Sequence, residues 1–425
     1  MFKERLRVLA CDHLNLARGK YLPASKIGDG GTRICQGTFG VTYDKDLIPA
    51  PGSKVLEGLP DVEIRYLGAD IRDSWQPNTK IVVGDLYEAD DQPFGACGRH
   101  ALKRAIADWS ALGFDPMIGL ELEAFAFQHD ADGKLVPYDT PKSYVYSTGP
   151  FSDPKGFTEA IWQRATALGF AIDSMTSEFD TPQFEFALTY DRALKAVDDI
   201  FLFRQLAREV ALEHGIVLTF MPKPILSKGG SGLHVNFSFK DKAGNNAIGD
   251  PDDLSPVASG CIAGLMRHHQ GMAALAAPIV NSYQRLVPSS LSGYWRNWGG
   301  DHRGVTTRIS AERGPKARLE HRMGDGSSNP YTLVATVLQA SRLGYVNKYT
   351  LPPAETGDCF GTIDAKDGAP STLGAALDAL EADAPLMDAV GKLLCDNHIF
   401  IKRDEIIKTA ALEGEALRDF YLPYV

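Results

Sequence analysis

Four apolar, strand-like segments of this chain carry carboxylates or a histidine. The segments are GLELEAFAF, SEFDTPQFEF, GLHVNFSF and ARLEHRM, and they contain Glu121, Glu123, Glu178, Glu185, His234 and Glu320. Because Glu121 and Glu123 are two residues apart, an extended strand would put both side chains on one face. Like charges on a buried face repel and are costly to desolvate unless a cation lies between them. These five carboxylates and the histidine therefore predict a divalent-metal site of the Mg²⁺ or Mn²⁺ type.

Simpler interpretations exist for each of these residues taken alone. A single glutamate is most simply a surface residue on a half-exposed strand, and a histidine such as His234 is more often a hydrogen-bonded core residue than a ligand. Four separate segments, each with its polar residue inside an apolar stretch, favour the metal site over these alternatives.

The elements that must position these side chains alternate between strand and helix patterns. RLRVLACD and LARGKYLP predict two strands around a turn at residues 13–16. Apolar residues in ACGRHALKRAIADWSALGF follow a helical period that ends at Gly113. Further helices are predicted over 191–214 and 256–277, and residues 289–314, rich in Gly, Ser and Arg, predict active-site loops. A turn-rich stretch at 90–98 divides the chain into domains at 1–93 and 94–425.

Size and composition narrow the class of protein. The chain has 425 residues, of which 44% are hydrophobic and 23% charged, as in an ordinary soluble globular protein. Its net charge of −10 argues against a nucleic-acid partner, and no apolar run is long enough to span a membrane. Charges interrupt the apolar stretch at the N-terminus, which does not resemble a signal peptide. Six widely spaced cysteines without a CxxC pair predict reduced thiols and a cytoplasmic location.

In chain order, GLELEAFAF, SEFDTPQFEF, GGSGLHVNFSF, NSYQRLVP and KARLEHRM resemble the motifs of the glutamine synthetase family. The resemblance extends from about residue 5 to about residue 349. It implies an α+β fold, in which a small β-grasp N-terminal domain precedes a large catalytic domain with an antiparallel half-barrel sheet flanked by helices. It also implies a homo-oligomer of stacked rings, with each active site between one subunit's funnel and the neighbour's N-terminal domain.

The resemblance also implies roles for individual residues. Glu123, Glu178 and Glu185 match the ligands of one metal ion, and Glu121, His234 and Glu320 match those of a second. Two or three Mg²⁺ or Mn²⁺ ions per site are expected, with ATP as co-substrate. The remaining matches are Arg285 and Gly230 for the acid substrate, Arg303 and Arg322 for phosphoryl transfer, and Ser238, Arg308 and Lys316 for the nucleotide.

The chain departs from the family at the positions that bind ammonium. Gln36 or its neighbours in ICQGTFGVTY stand where the family has an aspartate, and Leu291 stands where it has a flap glutamate. Loss of two carboxylates weakens binding of a cation and removes a base. Leucine adds apolar surface instead, and Tyr294, Trp295 and Trp298 follow closely, either as the wall of an amine site or as ordinary packing. Family members also commonly have Asn at the position of Gly229, and LPPAETGDCFG lacks the tyrosine that others modify.

These observations predict an ATP-dependent ligase that joins the γ-carboxylate of glutamate to an amine through a γ-glutamyl phosphate. The apolar flap position favours an organic amine, with Leu291 among the substrate-binding residues. One alternative is a glutamine synthetase that binds ammonium through other residues, and another is a non-catalytic binding protein of the same fold. A phosphagen-type kinase on a related half-barrel is a third, disfavoured by the N-terminal hairpin and the Arg285 motif.

Overall fold

The N-terminal residues form two small sheets. The structure is a computed structural model that describes residues 4–250 and 253–425. Its first strands are β1 (Arg5–Cys11), β2 (Ala17–Pro23), β3 (Gly30–Cys35), β4 (Asp61–Tyr66), β5 (Arg72–Asp73), β6 (Thr79–Val83) and β7 (Asp85–Tyr87). They pair in the orders β2-β1-β6-β5 and β3-β4-β7, and β1 and β6 are parallel. Alternate residues such as Leu6, Val8, Val62 and Ile64 are fully buried between the sheets.

The larger C-terminal part alternates strands and helices. Its first half contains α1 (Gly98–Ala111), β8 (Phe114–His129), β9 (Leu135–Pro137), α2 (Phe157–Ala167), β10 (Ile172–Ser177), β11 (Gln183–Arg192), α3 (Ala193–Glu213), β12 (Val217–Thr219) and β13 (Leu233–Asp241). The predicted helices at 191–214 and after Cys97 are confirmed to within two residues of their ends. Gly113, just after α1, has a φ of 90°, which glycine adopts without strain.

The second half completes the sheet and adds a helical layer. It contains β14 (Gly249–Asp250), β15 (Asp253–Leu254), α4 (Pro256–Ala276), α5 (Ser282–Arg285), β16 (Trp298–Gly300), β17 (Thr307–Ile309), β18 (Leu319–His321), α6 (Pro330–Val346), α7 (Leu373–Glu381), α8 (Ala384–Val390), α9 (Lys392–Thr409) and α10 (Gly414–Tyr421). The predicted helix at 256–277 is confirmed: Ser255 caps it by accepting a hydrogen bond from Ala258 N, and Pro256 occupies its first turn. No helix in the described ranges is long and apolar enough to cross a membrane.

One nine-stranded sheet carries the candidate site. Its main order is β10-β11-β8-β13-β18-β17-β16, while β9 and β12 pair with β8. The predicted antiparallel sheet is confirmed except at its edge, where β16 and β17 are parallel. On β8, Leu120, Leu122 and Ala124 face a buried core that includes α3, α4 and α6, so Glu121 and Glu123 point to the opposite face. The fold is the predicted small N-terminal sheet domain followed by a large α+β domain. The exact boundary, placed from sequence between residues 93 and 94, stays a prediction and falls between β7 and α1.

Candidate active site

Strand register brings the predicted metal ligands together. Glu185 on β11 lies opposite Glu123 on β8, and His234 on β13 lies opposite Glu121. Asn236, two residues after His234, lies opposite Glu320 on β18. Glu178 follows β10, and its amide donates to Gln183 O at 2.9 Å, which closes the turn into β11. The side chains of four strands and one turn thus meet on one face of the sheet.

The six residues form two adjacent groups. Ligand atoms of Glu123, Glu178 and Glu185 lie within 4.8 Å of one another, and so do those of Glu121, His234 and Glu320. The groups touch at His234, whose Nδ1 is 3.2 Å from Glu121 Oε2 and whose Nε2 is 3.7 Å from Glu123 Oε1. This division into two sets of three is the one that the family resemblance implies.

The charges of the first group are poorly matched without a cation. Burial, and then the charges of Glu121, Glu123 and Glu178, raise the pKa of Glu185 to about 9. Burial and the charge of Glu123 also raise the pKa of Glu178. A carboxyl that stays protonated near neutral pH among other carboxylates has the environment of a ligand whose metal ion would supply the missing positive charge.

The second group is better neutralised by protein atoms. Burial alone would raise the pKa of Glu121, but hydrogen bonds involving His234 and Asn236, with the charge of Arg322, lower it to about 2. Asn236 Nδ2 donates to Glu121 Oε1 at 2.9 Å. Glu320, only 4% exposed, accepts from Arg308 Nη1 at 3.2 Å and from Arg322. The oxygen-rich donor set and its outer hydrogen bonds fit a hard divalent ion in both groups.

The residues predicted to hold the acid substrate lie next to the ligands. Arg285 is 4% exposed, and burial lowers its pKa. Its Nη1 and Nη2 donate to Met323 O at 3.0 Å and to Arg322 O at 3.2 Å, which fixes the plane of the guanidinium. Gly230 packs against it so closely that a Cβ there would lie 2.6 Å from Arg285 Cγ. Only glycine fits this position without displacing the arginine.

Of the other predicted arginines, two contact the second group and one acts on the first. Arg322 is 7% exposed and joins Glu320 to the carbonyl of Leu291, which accepts from its Nη2 at 3.4 Å. Arg303 is exposed, and its charge opposes the rise in the pKa of Glu178. Arg308 pairs with Glu320 and Asp301. It therefore contacts the metal-ligand group, while its predicted place beside the nucleotide stays a prediction.

A cleft of about 950 Å³, partly open to solvent, adjoins Glu121. The predicted nucleotide residues Ser238 and Lys316 line it, together with Asn236 and Arg318. Arg318 Nε donates to Asn236 Oδ1 at 3.1 Å. Since Asn236 also donates to Glu121, its amide links the ligand group to the guanidinium of Arg318 in the cleft.

The flap position is apolar and has an uncommon backbone. Leu291 is partly buried with a φ of 54°, and Ser289 has a φ of 59°. Non-glycine residues rarely adopt this region, and they persist there when surrounding contacts hold them. Gln36, at the other departure from the family, is 1% exposed and donates to Gly52 O at 2.8 Å and Glu88 Oε1 at 3.0 Å. Its amide is thus part of the N-terminal core.

Sequence reasoning missed Asn236 and Gln183. Gln183 Nε2 lies 3.3 Å from Glu123 Oε2 and 3.0 Å from Gly230 O, so it joins the first ligand group to the substrate loop. Both residues are two positions from a predicted ligand on the same strand, and this same-face spacing was the signal that could have identified them.

Carboxylate clusters that fit metal ions, clustered arginines and an adjoining cleft are typical of phosphoryl-transfer sites. Comparisons with known proteins agree with this class. Residues 95–416 match the model of the glutamine synthetase catalytic domain. The glutamine synthetase of Clostridium saccharobutylicum is 34% identical over 345 residues, 78% of this chain and 77% of its own. That of Thermus thermophilus is 31% identical over 373 residues, 85% of this chain and 81% of its own.

Solved structures show the same relationship. The structure of GmaS without ligand has a TM-score of 0.82 and 27% identity, and covers 98% of this chain and 96% of its own. A novel glutamine synthase homolog has a TM-score of 0.85 at 23% identity, with 100% and 99% coverage, which shows a shared fold. The chain belongs to the glutamine synthetase family. It is therefore an ATP-dependent ligase that forms C–N bonds, in a family of oligomers that use divalent metal ions.

Proposed function

We propose that this protein joins the γ-carboxylate of glutamate to an organic amine, with ATP as the source of energy. The observation that carries the proposal is the apolar flap, where Leu291 replaces an acid and no acidic side chain lines the adjoining cavity among the described residues. Ammonium needs carboxylates nearby, whereas an amine with an alkyl or aryl group gains from apolar contact. Similarity to the structure of GmaS, a γ-glutamylmethylamide synthetase, also supports an amine-using ligase.

In the first step, Arg285 holds the α-carboxylate of glutamate. Two of its N–H groups bind protein carbonyls, and the others remain for the substrate. An oxygen of the γ-carboxylate attacks the γ-phosphorus of ATP, the bond from that phosphorus to the bridging oxygen breaks, and ADP leaves. Arg303 and Arg322 stabilise the charge on the transferring group.

In the second step, a neutral amine attacks the carbonyl carbon of γ-glutamyl phosphate. The bond from carbon to phosphate oxygen breaks, and inorganic phosphate leaves with the proton that the nitrogen loses. The half-buried side chain of Leu291 contacts the organic group, and its carbonyl, held by Arg322, keeps the flap near the reacting carbon.

The two ligand groups would hold two Mg²⁺ or Mn²⁺ ions, within the range of two or three expected from the sequence. Such ions neutralise charge on the substrate carboxylate and the nucleotide phosphates. We also propose a homo-oligomer of stacked rings, in which a neighbour's N-terminal domain completes the site. A cytoplasmic location is proposed from the cysteines, all six of which are free in the structure.

The test is phosphate release from ATP and glutamate, screened over ammonium, methylamine, larger alkylamines, polyamines and aromatic amines. We expect at least one organic amine to give a higher kcat/KM than ammonium, and no release when glutamate is omitted. Preference for ammonium over every amine would instead identify a glutamine synthetase, the second candidate, which the names of the curated relatives favour.

A further inference from the structure

Residues 351–368, here called the strap, lie against the flap, which is the loop of residues 289–295 that contains Leu291. The strap has almost no regular structure, yet hydrogen bonds fix it firmly. The carboxylate of Glu355 is 8% exposed and accepts from the side chain of Asn297 at 2.9 Å and from the amides of Gly357, Asp364 and Ala365. Burial alone would raise the pKa of Glu355, but these hydrogen bonds lower it, so the carboxylate remains ionised and holds the strap in one shape.

The loop that follows the flap fastens the strap along its length. Trp298 Nε1 donates to Pro352 O at 2.8 Å, and His302 Nε2 lies 2.7 Å from Gly357 O. At the far end, Ala369 N donates to Tyr294 O at 2.7 Å. The same carbonyl lies 2.9 Å from His269 Nε2 on α4. The flap, the strap and the helix layer therefore share one set of hydrogen bonds.

A narrow cavity, with space for about one water molecule, lies between flap and strap. Its lining is apolar or hydroxylic, and includes Val287, Leu291, Tyr294, Trp295, Gly304 and Cys359. Because so little space is left between flap and strap, a group of about the size of a methyl fits it better than a polyamine or an aromatic ring.

Two contacts connect this cavity to the candidate active site. Arg322 Nη2 donates to the carbonyl of Leu291, which lines the cavity. Gly304 follows Arg303, and a Cβ at Gly304 would lie 2.9 Å from Cys359 Cα. The strap therefore packs directly against the backbone beside one of the proposed phosphoryl-transfer residues.

We propose that the strap forms the outer wall of the amine site, and that Cys359 limits the size of the amine to a primary amine with a short alkyl group. This inference rests on the amine-ligase function proposed above. Cys359 lines the cavity together with Leu291, so the volume of its side chain limits the space left for carbon atoms. Cys359 is a specificity-determining residue in this proposal, and its thiol takes no part in the chemistry.

The test compares kcat/KM for propylamine and methylamine in the full-length protein. Cys359→Ala should raise the propylamine-to-methylamine ratio by on the order of tenfold, and Cys359→Leu should lower it, because a pocket discriminates by that factor for a methylene group. Cys359→Ser, of similar size, should leave the ratio unchanged. Phe360→Leu is the matched control, since Phe360 is the next strap residue but is 63% exposed and outside the cavity lining.

A second variant tests the wall as a whole. Glu355→Gln removes the negative charge that accepts hydrogen bonds from the strap amides. It should therefore reduce discrimination between the two amines. The KM for glutamate should stay within about twofold, because Arg285 is unchanged. A second readout is alkylation of Cys359 by N-ethylmaleimide, followed by mass spectrometry. Methylamine, added with glutamate and ADP, should slow this alkylation.

The outcomes separate the two proposals. If the wild-type enzyme uses organic amines but neither Cys359→Ala nor Cys359→Leu changes the ratio, the strap is not part of the amine site and the ligase function stands. If the wild-type enzyme rejects every organic amine, both proposals are wrong. A change of ratio in opposite directions for the two variants, with protection of Cys359, supports the strap.

Discussion

The metal-ligand groups and the flap–strap cavity are built from opposite kinds of structure. The ligands stand on paired strands, so register alone fixes which side chains meet. The cavity is lined by loop residues, three of which have positive φ, and by a strap held through one buried carboxylate. A rigid sheet can serve the phosphoryl-transfer step, while substitutions in the loops can alter which amine binds without disturbing that sheet. Substitutions on the two sides should therefore have different kinetic signatures.

The largest effect is expected from Glu123→Ala, on the metal side. Losing one of three carboxylates in a group removes charge and geometry together, and should abolish turnover and Mn²⁺ binding at that group. Calorimetric Mn²⁺ titration and phosphate release measure the two effects. Glu213→Ala, an exposed glutamate on α3, is the control, and undiminished turnover in Glu123→Ala would remove Glu123 from the site.

Arg285→Lys tests the substrate side of the sheet. Lysine keeps the charge but loses the planar fork, so the KM for glutamate should rise roughly 10–150-fold with a smaller change in kcat, as expected for a lost charge-assisted hydrogen bond. Steady-state kinetics in glutamate and in ATP measure this, with Arg164→Lys, at a partly exposed arginine on α2, as control. A rise in the KM for ATP alone would show that Arg285 does not bind the acid substrate.

Asn236→Asp tests the link between the ligand group and the cleft. The new carboxylate would face Glu121 and lose the hydrogen bond of 2.9 Å, so Mn²⁺ and nucleotide affinity should fall about 10–100-fold, the range for an outer partner of a ligand. Asn236→Ala, without the added charge, should lose less nucleotide affinity. Asn245→Asp in an exposed turn is the control, and equal affinities in all variants would contradict the link.

Leu291→Glu tests the other side of the comparison. An acid at the flap attracts ammonium and removes an apolar contact, so the ratio of kcat/KM for ammonium to that for the best amine should rise about tenfold. The KM for glutamate should change little, since Arg285 lies on a different element. The control is Leu212→Glu, at a leucine that is 67% exposed on α3. An unchanged ratio would exclude Leu291 from the amine site.

The smallest effect concerns stability in the absence of metal. The pKa of Glu185 is about 9 in the folded protein and near its ordinary value of 4.5 when unfolded. Folding therefore favours the protonated form, and stability present at pH 4.5 is lost as pH rises toward 9, at about 1.4 kcal/mol for each unit of pH. Thermal melting in EDTA should show this loss in wild type and a shallower one in Glu185→Gln. Parallel curves would contradict it.

Sequence predicted the sheet side better than the loop side, for physical reasons. Spacing of two residues was enough to place Glu121 and Glu123 on one face, and long apolar periods located α3 and α4. The parallel pairing of β16 with β17 was not predicted, because three-residue strands carry no readable period. The strap was missed for a related reason: the contact between Glu355 and Asn297 joins residues 58 positions apart, and loop sequence does not encode such a pairing locally.

The close contact between Gly304 and the strap gives a way to sort relatives by sequence. Any side chain at this position would meet the backbone of Cys359, so a relative with a larger residue there must carry its strap elsewhere. Glycine at 304 together with an apolar residue at 291 would then mark a branch of the family with an enclosed site for small amines. The residue type at position 304 in each relative would then indicate whether its strap makes the same contact with this loop.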